Sequence, residues 1–278
     1  MIIPQLSITI VVDNQAGDGL RAEHGLSLWI DAGDTKILFD TGQGAALADN
    51  AGKLGIGLER ADILVLSHGH YDHTGGVPLV LKSSRKAKVY CHAGVVQPRY
   101  SMRNGTAKAI RMPSDSMAAL DKLPEENLHW TSRARLIARG IGLTGPIPRE
   151  TSFEDPGGPF FLDRQGRRAD PIDDDLALWM TTGRGLVVCV GCCHAGIVNT
   201  LTHVFRLSGT NRLRAVIGGF HLLDAGTERL EQTIAALRSF TPELVVPCHC
   251  TGEKATKMLT AALGGRVVPG RAGAEYTF

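Results

Sequence analysis

The sequence predicts a mixed α/β (α+β) fold in which β-sheets are covered by helices. Three observations carry this expectation. Strand-like and helix-like runs alternate in both halves of the chain. An N-terminal hairpin signal argues against a purely parallel sheet. Clusters of polar residues follow directly on apolar, strand-like runs, which is where α/β folds bind ligands.

The elements read as follows. Residues 6–12 are apolar and β-branched, as a strand requires. Residues 26–30 and 36–39 flank Asp31-Ala32-Gly33-Asp34, a hairpin turn. A helix is expected over 45–54, a buried strand over 62–66, the start of a helix over 77–81 and a short strand over 88–91. From 97 to 175 the pattern weakens. Eight prolines fall there (Pro98, Pro113, Pro124, Pro146, Pro148, Pro156, Pro159 and Pro171), so the stretch reads as an insertion with some hairpins inside a single domain spanning 1–278. It carries a basic cluster, Arg99, Arg103, Lys108 and Arg111. Beyond 176, strand-like runs 186–190, 215–217 and 244–246 alternate with helix-like runs 196–207, 227–239 and 252–263.

Composition narrows the class. The 278 residues are 43% hydrophobic and 21% charged, which excludes disorder, collagen and a coiled coil. A net charge of +2 demands neither nucleic acid nor a membrane surface as partner. No apolar run approaches the roughly 18 residues of a span. The opening Met1-Ile2-Ile3-Pro4-Gln5 lacks a basic n-region. The six cysteines are too sparse for a disulfide scaffold and read as reduced, so the expected location is the cytoplasm.

The sharpest motif is Ser67-His68-Gly69-His70-Tyr71-Asp72-His73. Three imidazoles and a carboxylate within six residues suit Zn, Fe, Mn or Ni. A solvated His-rich loop is the bland alternative, but three histidines beside a strand end are costly to bury without a metal or partners. Four such ligands cannot complete two sites. His194, His221 and His249, each just after a strand-like run, are the candidates from far along the chain. Cys192, Cys193, Cys248 and Cys250 bracket these late histidines, and Cys189-Val190-Gly191-Cys192 has C-x-x-C spacing. Thiolate ligation and a redox pair are both conceivable, but the preferred reading is that these thiols pack as small hydrophobes. The basic cluster is either a solvated face or, through Arg103 and Lys108, a receiver for a substrate phosphate. A P-loop Lys-Ser/Thr and a G-x-S-x-G elbow are both missing.

His68-x-His70-x-Asp72-His73 resembles the metal signature of the metallo-β-lactamase superfamily, and Asp40-Thr41-Gly42 looks like the strand-end Asp motif that precedes it. Three blocks resemble one branch more narrowly, the 7,8-dihydropterin-6-yl-methyl-4-(β-D-ribofuranosyl)aminobenzene 5'-phosphate synthase-like proteins. They are Gly191-Cys192-Cys193-His194-Ala195-Gly196-Ile197-Val198-Asn199-Thr200, Gly218-Gly219-Phe220-His221-Leu222 and Pro247-Cys248-His249-Cys250-Thr251-Gly252. The resemblance implies an αββα sandwich of two mixed sheets with helices outside and two divalent metal ions, Zn2+ first and Fe or Mn next, at one edge. It places His68, His70 and His194 on one ion and Asp72, His73 and His249 on the other, with a shared hydroxide as nucleophile. Asp72 would orient that hydroxide, and His221 would serve as acid or oxyanion holder. Better-known members carry a Gly-Asp after a late strand, and that Asp bridges the metals. Here Gly191-Cys192 stands instead. The implied activity is a hydrolase or transferase acting on a small, phosphorylated or pterin-like molecule. A non-catalytic metal or ligand sensor and a nucleic-acid processing nuclease are the rival expectations.

Overall fold

The computed structural model describes residues 2–278. The first third forms β1 (Ser7–Val12), β2 (Ser27–Ala32), β3 (Thr35–Phe39), α1 (Ala45–Lys53), β4 (Ile63–Val65), α2 (Tyr71–Thr74), α3 (Val77–Ser83) and β5 (Lys88–Cys91). The middle forms β6 (Tyr100–Arg103), β7 (Thr106–Ala109), α4 (Ser114–Asp121), β8 (Leu128–Trp130), β9 (Arg135–Ala138), β10 (Ile141–Leu143) and β11 (Phe160–Phe161). The last third forms β12 (Ala177–Thr182), β13 (Gly185–Val190), α5 (Ile197–Ser208), β14 (Leu213–Gly219), α6 (Thr227–Phe240), β15 (Leu244–Cys248), α7 (Glu253–Leu263) and β16 (Glu275–Thr277).

Two mixed sheets result. One runs β16-β1-β2-β3-β4-β5-β8 and the other β15-β14-β13-β12-β10-β9. The β2–β3 hairpin turns through Gly33, whose φ of 72° is open to glycine and whose N–H donates to Asp31 Oδ1 at 3.1 Å. Strand periodicity shows which face meets what. Ile37 and Phe39 of β3, Val187 and Cys189 of β13, Ala215 and Ile217 of β14 and Val246 and Cys248 of β15 enter one core between the two sheets. The intervening Leu38 joins the core under α1, α3 and α4, while Val188, Val216 and Val245 join the core under α5, α6 and α7. Three apolar layers separate four layers of backbone, which is an αββα sandwich. Both faces of the central strands are buried, hence their near-continuous apolar runs.

The parallel pairs β3–β4 in one sheet and β13–β14–β15 in the other end at the same edge of the sandwich. Asp40, His68, His194, His221 and His249 all lie just past these strands. That topology gathers residues almost 210 positions apart in sequence, without any of them being neighbours in an element.

The stretch 97–175 is only partly an insertion. β8 extends the first sheet beside β5, and β9 and β10 extend the second beside β12. These strands have three, four and three residues, too short to show alternation in the sequence. What stands apart is the small sheet β11-β6-β7, which caps the site.

Arg99 departs from the expected basic cluster. Its side chain is 1% exposed, and it is neither a solvated face nor free to receive a phosphate. Its Nε donates to Asp170 Oδ2 at 2.8 Å and its Nη1 to Asp174 Oδ2 at 2.8 Å. Asp174 Oδ2 also accepts the N–H of Gly69, between His68 and His70. A Cβ on Gly69 would lie 2.2 Å from the Val95 carbonyl oxygen, so only glycine lets the histidine loop pass there. Removing one partner of a buried, hydrogen-bonded ion group costs about 3–5 kcal/mol. Arg99→Met is therefore expected to lose that much unfolding free energy in urea titration, while Arg103→Ala, on an exposed side chain, changes little. Equal effects of the two would refute this account.

Candidate metal centre

The site is built on Asp40, the first residue after β3. Its carboxylate is fully buried. Oδ1 accepts the N–H of Ser67 at 2.7 Å, and Oδ2 accepts the Ser67 hydroxyl at 2.6 Å and the Nδ1–H of His73 at 2.7 Å. Thr41 adds a brace by donating its hydroxyl to the His73 carbonyl at 2.9 Å. The two strand ends are thus tied to each other before any ligand is considered.

Acceptors placed on Nδ1 set the tautomers of four histidines. The Ser67 hydroxyl spends its proton on Asp40 and so accepts from His68 Nδ1 at 2.9 Å. His73 Nδ1 donates to Asp40. His194 Nδ1 donates to the Pro156 carbonyl at 2.7 Å, and His249 Nδ1 to Asn14 Oδ1 at 2.8 Å. Each ring therefore turns Nε2 inward, the arrangement that outer hydrogen bonds impose on metal-bound imidazoles. His70 differs, presenting Nδ1 to His68 Nε2 at 2.9 Å.

Electrostatics follow burial. His68, His70 and His194 are held well below the usual histidine range, chiefly because burial disfavours the cation. They are neutral, and the Nε2 lone pairs of His70 and His194 have no hydrogen-bond partner. Burial opposes charge on His73 too, but Asp40 overcomes it and raises the group to about 9. Burial also works against the Asp72 carboxylate, yet contacts from His24 and His249 hold it well below the usual range. Asp72 Oδ2 lies 3.1 Å from His24 Nε2 and 3.3 Å from His249 Nε2.

The expected residues come together in two touching groups. Ring centroids of His68, His70 and His194 stand 4.5 to 4.9 Å apart. His73 and His249 stand 5.1 Å apart beside Asp72, and His68 to His73, at 4.3 Å, joins the groups. The His221 ring lies against His194, tilted by 44° with centroids 4.3 Å apart. The Nε2 atoms of His70, His194 and His249 are buried without a hydrogen-bond partner. Unpaired buried polar atoms are rare and costly, and three in one spot call for an electron-pair acceptor. Imidazole nitrogen with carboxylate oxygen is the donor set of Zn, Fe or Mn, so the residues fit divalent ions.

Two neighbours escaped the sequence reading. His24, on the loop before β2, reaches Asp72 although its own side chain is 55% exposed; no pattern in the sequence marks it. Cys192 was read as packing, but its Sγ lies 3.1 Å from His73 Nε2, inside the cluster. The Gly-Cys standing in place of a Gly-Asp was the available signal. The packing reading holds for Cys189 and Cys248, whose side chains enter the inter-sheet core. Backbone strain concentrates here: Asp40, Cys193, His221 and His249 have φ between 47° and 60°, an uncommon region for residues with a Cβ.

Above the cluster is a cleft of about 420 Å³ lined by His70, Asp72, His221 and His249. Phe160 of β11 forms its roof, 5.4 Å from both His70 and His194. Arg103 and Lys108, from the β6–β7 hairpin, stand at its mouth. Arg103 is paired with Asp224 at 2.7 Å, and Lys108 Nζ lies 3.4 Å from the Tyr71 hydroxyl.

Comparison with known proteins agrees with this geometry. A model of the metallo-β-lactamase superfamily matches residues 20–202. The 7,8-dihydropterin-6-methyl-4-(β-D-ribofuranosyl)-aminobenzene-5'-phosphate synthase of Methanocaldococcus jannaschii is 32% identical, over 92% of this chain and 91% of its own. An uncharacterised protein of the same organism is 31% identical over 91% of this chain and 93% of its own. The crystal structure of Tm1679, described as a metal-dependent hydrolase of the β-lactamase superfamily, superposes with a TM-score of 0.82 at 30% identity, covering 98% of both chains. The chain belongs to the metallo-β-lactamase superfamily.

Proposed function

We propose that the protein is a metal-dependent hydrolase or transferase whose dinuclear centre acts on a small, phosphorylated, pterin-like molecule. The observation that carries this reading is the set of unpartnered buried Nε2 atoms of His70, His194 and His249 beneath an open cleft. His68, His70 and His194 would hold one ion, and Asp72, His73 and His249 the other. Bound divalent ions, Zn2+ first and Fe or Mn next, supply Lewis acidity and an acidified water with a pKa near 7.

The protein's own groups do the rest. Asp72, held ionised by its neighbours, would accept a hydrogen bond from the attacking group and so orient it. His221 lines the same cleft and offers an imidazole to a leaving oxygen or a developing oxyanion. Tyr71 and Phe160 present flat faces for a ring system. Lys108 at the mouth suits a phosphate, and Arg103 does so once it lets go of Asp224. A fixed, half-closed floor with cations only at the rim fits a small molecule better than a polymer. The similarity to a synthase leaves the acceptor group as the point for assay: water as nucleophile makes the enzyme a hydrolase, an organic nucleophile a transferase.

Metal analysis of anaerobically purified protein, followed by assays on phosphodiesters, lactones, thioesters and a dihydropterin, tests the whole reading. About two equivalents and chelator-sensitive turnover are expected; protein that binds no divalent ion at its histidines would end it. Asp40→Asn keeps the volume but loses an acceptor, and is expected to lower metal affinity 10–100-fold in competition with a chelator. His221→Ala is expected to keep its metal and lose roughly 10²–10⁴ in kcat; unchanged turnover would remove that role. Arg103→Ala is expected to raise KM for phosphorylated substrates and leave neutral ones alone.

A further inference from the structure

We infer that Cys192 is a metal ligand in its own right, a thiolate placed between the two ion positions. The inference rests on the metal-dependent reading above and adds the donor that reading lacked. Cys192 Sγ forms one close group with the ligand nitrogens of His68 and His194, and another with those of His73 and His249. In each group the donor atoms lie within 4.8 Å of one another. One sulfur therefore reaches both histidine sets, each of which draws one ring from beyond the first sheet's strand ends and one from beyond the second's.

Two independent facts point to ligation and not to packing. His194 Nε2 is buried and unpartnered, His249 Nε2 has only the Asp72 carboxylate beside it at 3.3 Å, and both residues belong to the groups that contain this sulfur. The backbone also brings the thiol here at a steric cost. A Cβ on Gly191 would lie 2.0 Å from Ser67 Oγ, so β13 can end this close to Asp40 only through glycine. The next residue, Cys193, takes a left-handed φ of 58° and turns its thiol away, to Thr200 Oγ1 at 3.2 Å. Of the adjacent pair, only Cys192 faces the histidines. Metal–sulfur bonds of about 2.3 Å allow one thiolate to span ions roughly 3.5–4 Å apart. Binding forms the metal–sulfur bonds and releases the thiol proton to solvent, with no change of oxidation state. A soft donor in this place selects Zn or Fe over Mg or Mn.

The test is an anaerobic cobalt(II) titration of metal-stripped protein, read by the near-ultraviolet sulfur-to-cobalt charge-transfer band, with zinc-edge X-ray absorption on the unmodified zinc-loaded protein. The wild type is expected to develop the band and to show a sulfur neighbour at about 2.3 Å. Cys192→Ser is expected to lose the band, whereas Cys193→Ser keeps it. Cys192→Asp is expected to bind both equivalents without the band, which separates lost ligation from lost folding. Cobalt bound with no band, a zinc edge with nitrogen and oxygen neighbours alone, or a band that survives in Cys192→Ser would overturn the inference and leave the hydrolase reading standing. Protein that takes up no cobalt or zinc would overturn both.

Discussion

The Asp40 carboxylate is the interaction on which the site depends. A buried carboxylate is costly unless its oxygens are hydrogen-bonded. Here the Ser67 N–H, the Ser67 hydroxyl and His73 Nδ1 all donate to it. Through Ser67 it orients His68, and directly it orients His73. Those two rings belong to different ligand groups, so one carboxylate sets the angle between both halves of the centre. Parallel pairing of β3 and β4 puts donor and acceptor at the same level of the sheet. The second sheet then only has to bring its own strand ends up to a prepared surface, which the Gly191 approach permits.

The floor and the roof of the cleft have different origins. The floor is anchored by β-strands buried on both faces and by hydrogen bonds from one strand end to another. The roof is the small sheet β11-β6-β7, whose strand residues are mostly exposed or half-buried. Rigid positioning of ligands beneath a variable cover is a general division of labour between chemistry and specificity. Under the proposed function, that division would put the chemistry at the strand ends and substrate choice with Arg103, Lys108 and Phe160 of the cover.

Much of this was legible in the sequence because burial on both faces leaves long apolar runs. The runs at 186–190 and 244–246 became β13 and β15, and the helix-like run 227–239 became α6 almost residue for residue. The histidines showed themselves by following such runs. The region 97–175 was read poorly for a physical reason: strands of three or four residues cannot display a period of two, and prolines interrupt them. Arg99 looked like part of a basic patch because its partners, Asp170 and Asp174, lie more than 70 residues away. For Cys192, a thiol in a strand-end run has the same composition whether it packs or faces the histidines, and its approach to 3.1 Å from His73 Nε2 leaves no mark in the sequence.

Long sequence separation within the cluster also has a consequence for biogenesis. His68 and His73 are synthesised some 175 residues before His249, and β1 finds its outer neighbour only at β16. During translation the early imidazoles emerge as a clustered, chelating segment with neither the second sheet nor its donors. A nascent chain in that condition is open to capture of whichever cation is most competitive in the cell, and contacts of such high order form slowly. The complete donor set exists only once the sandwich has closed, because His194 and His249 belong to the sheet that is synthesised last.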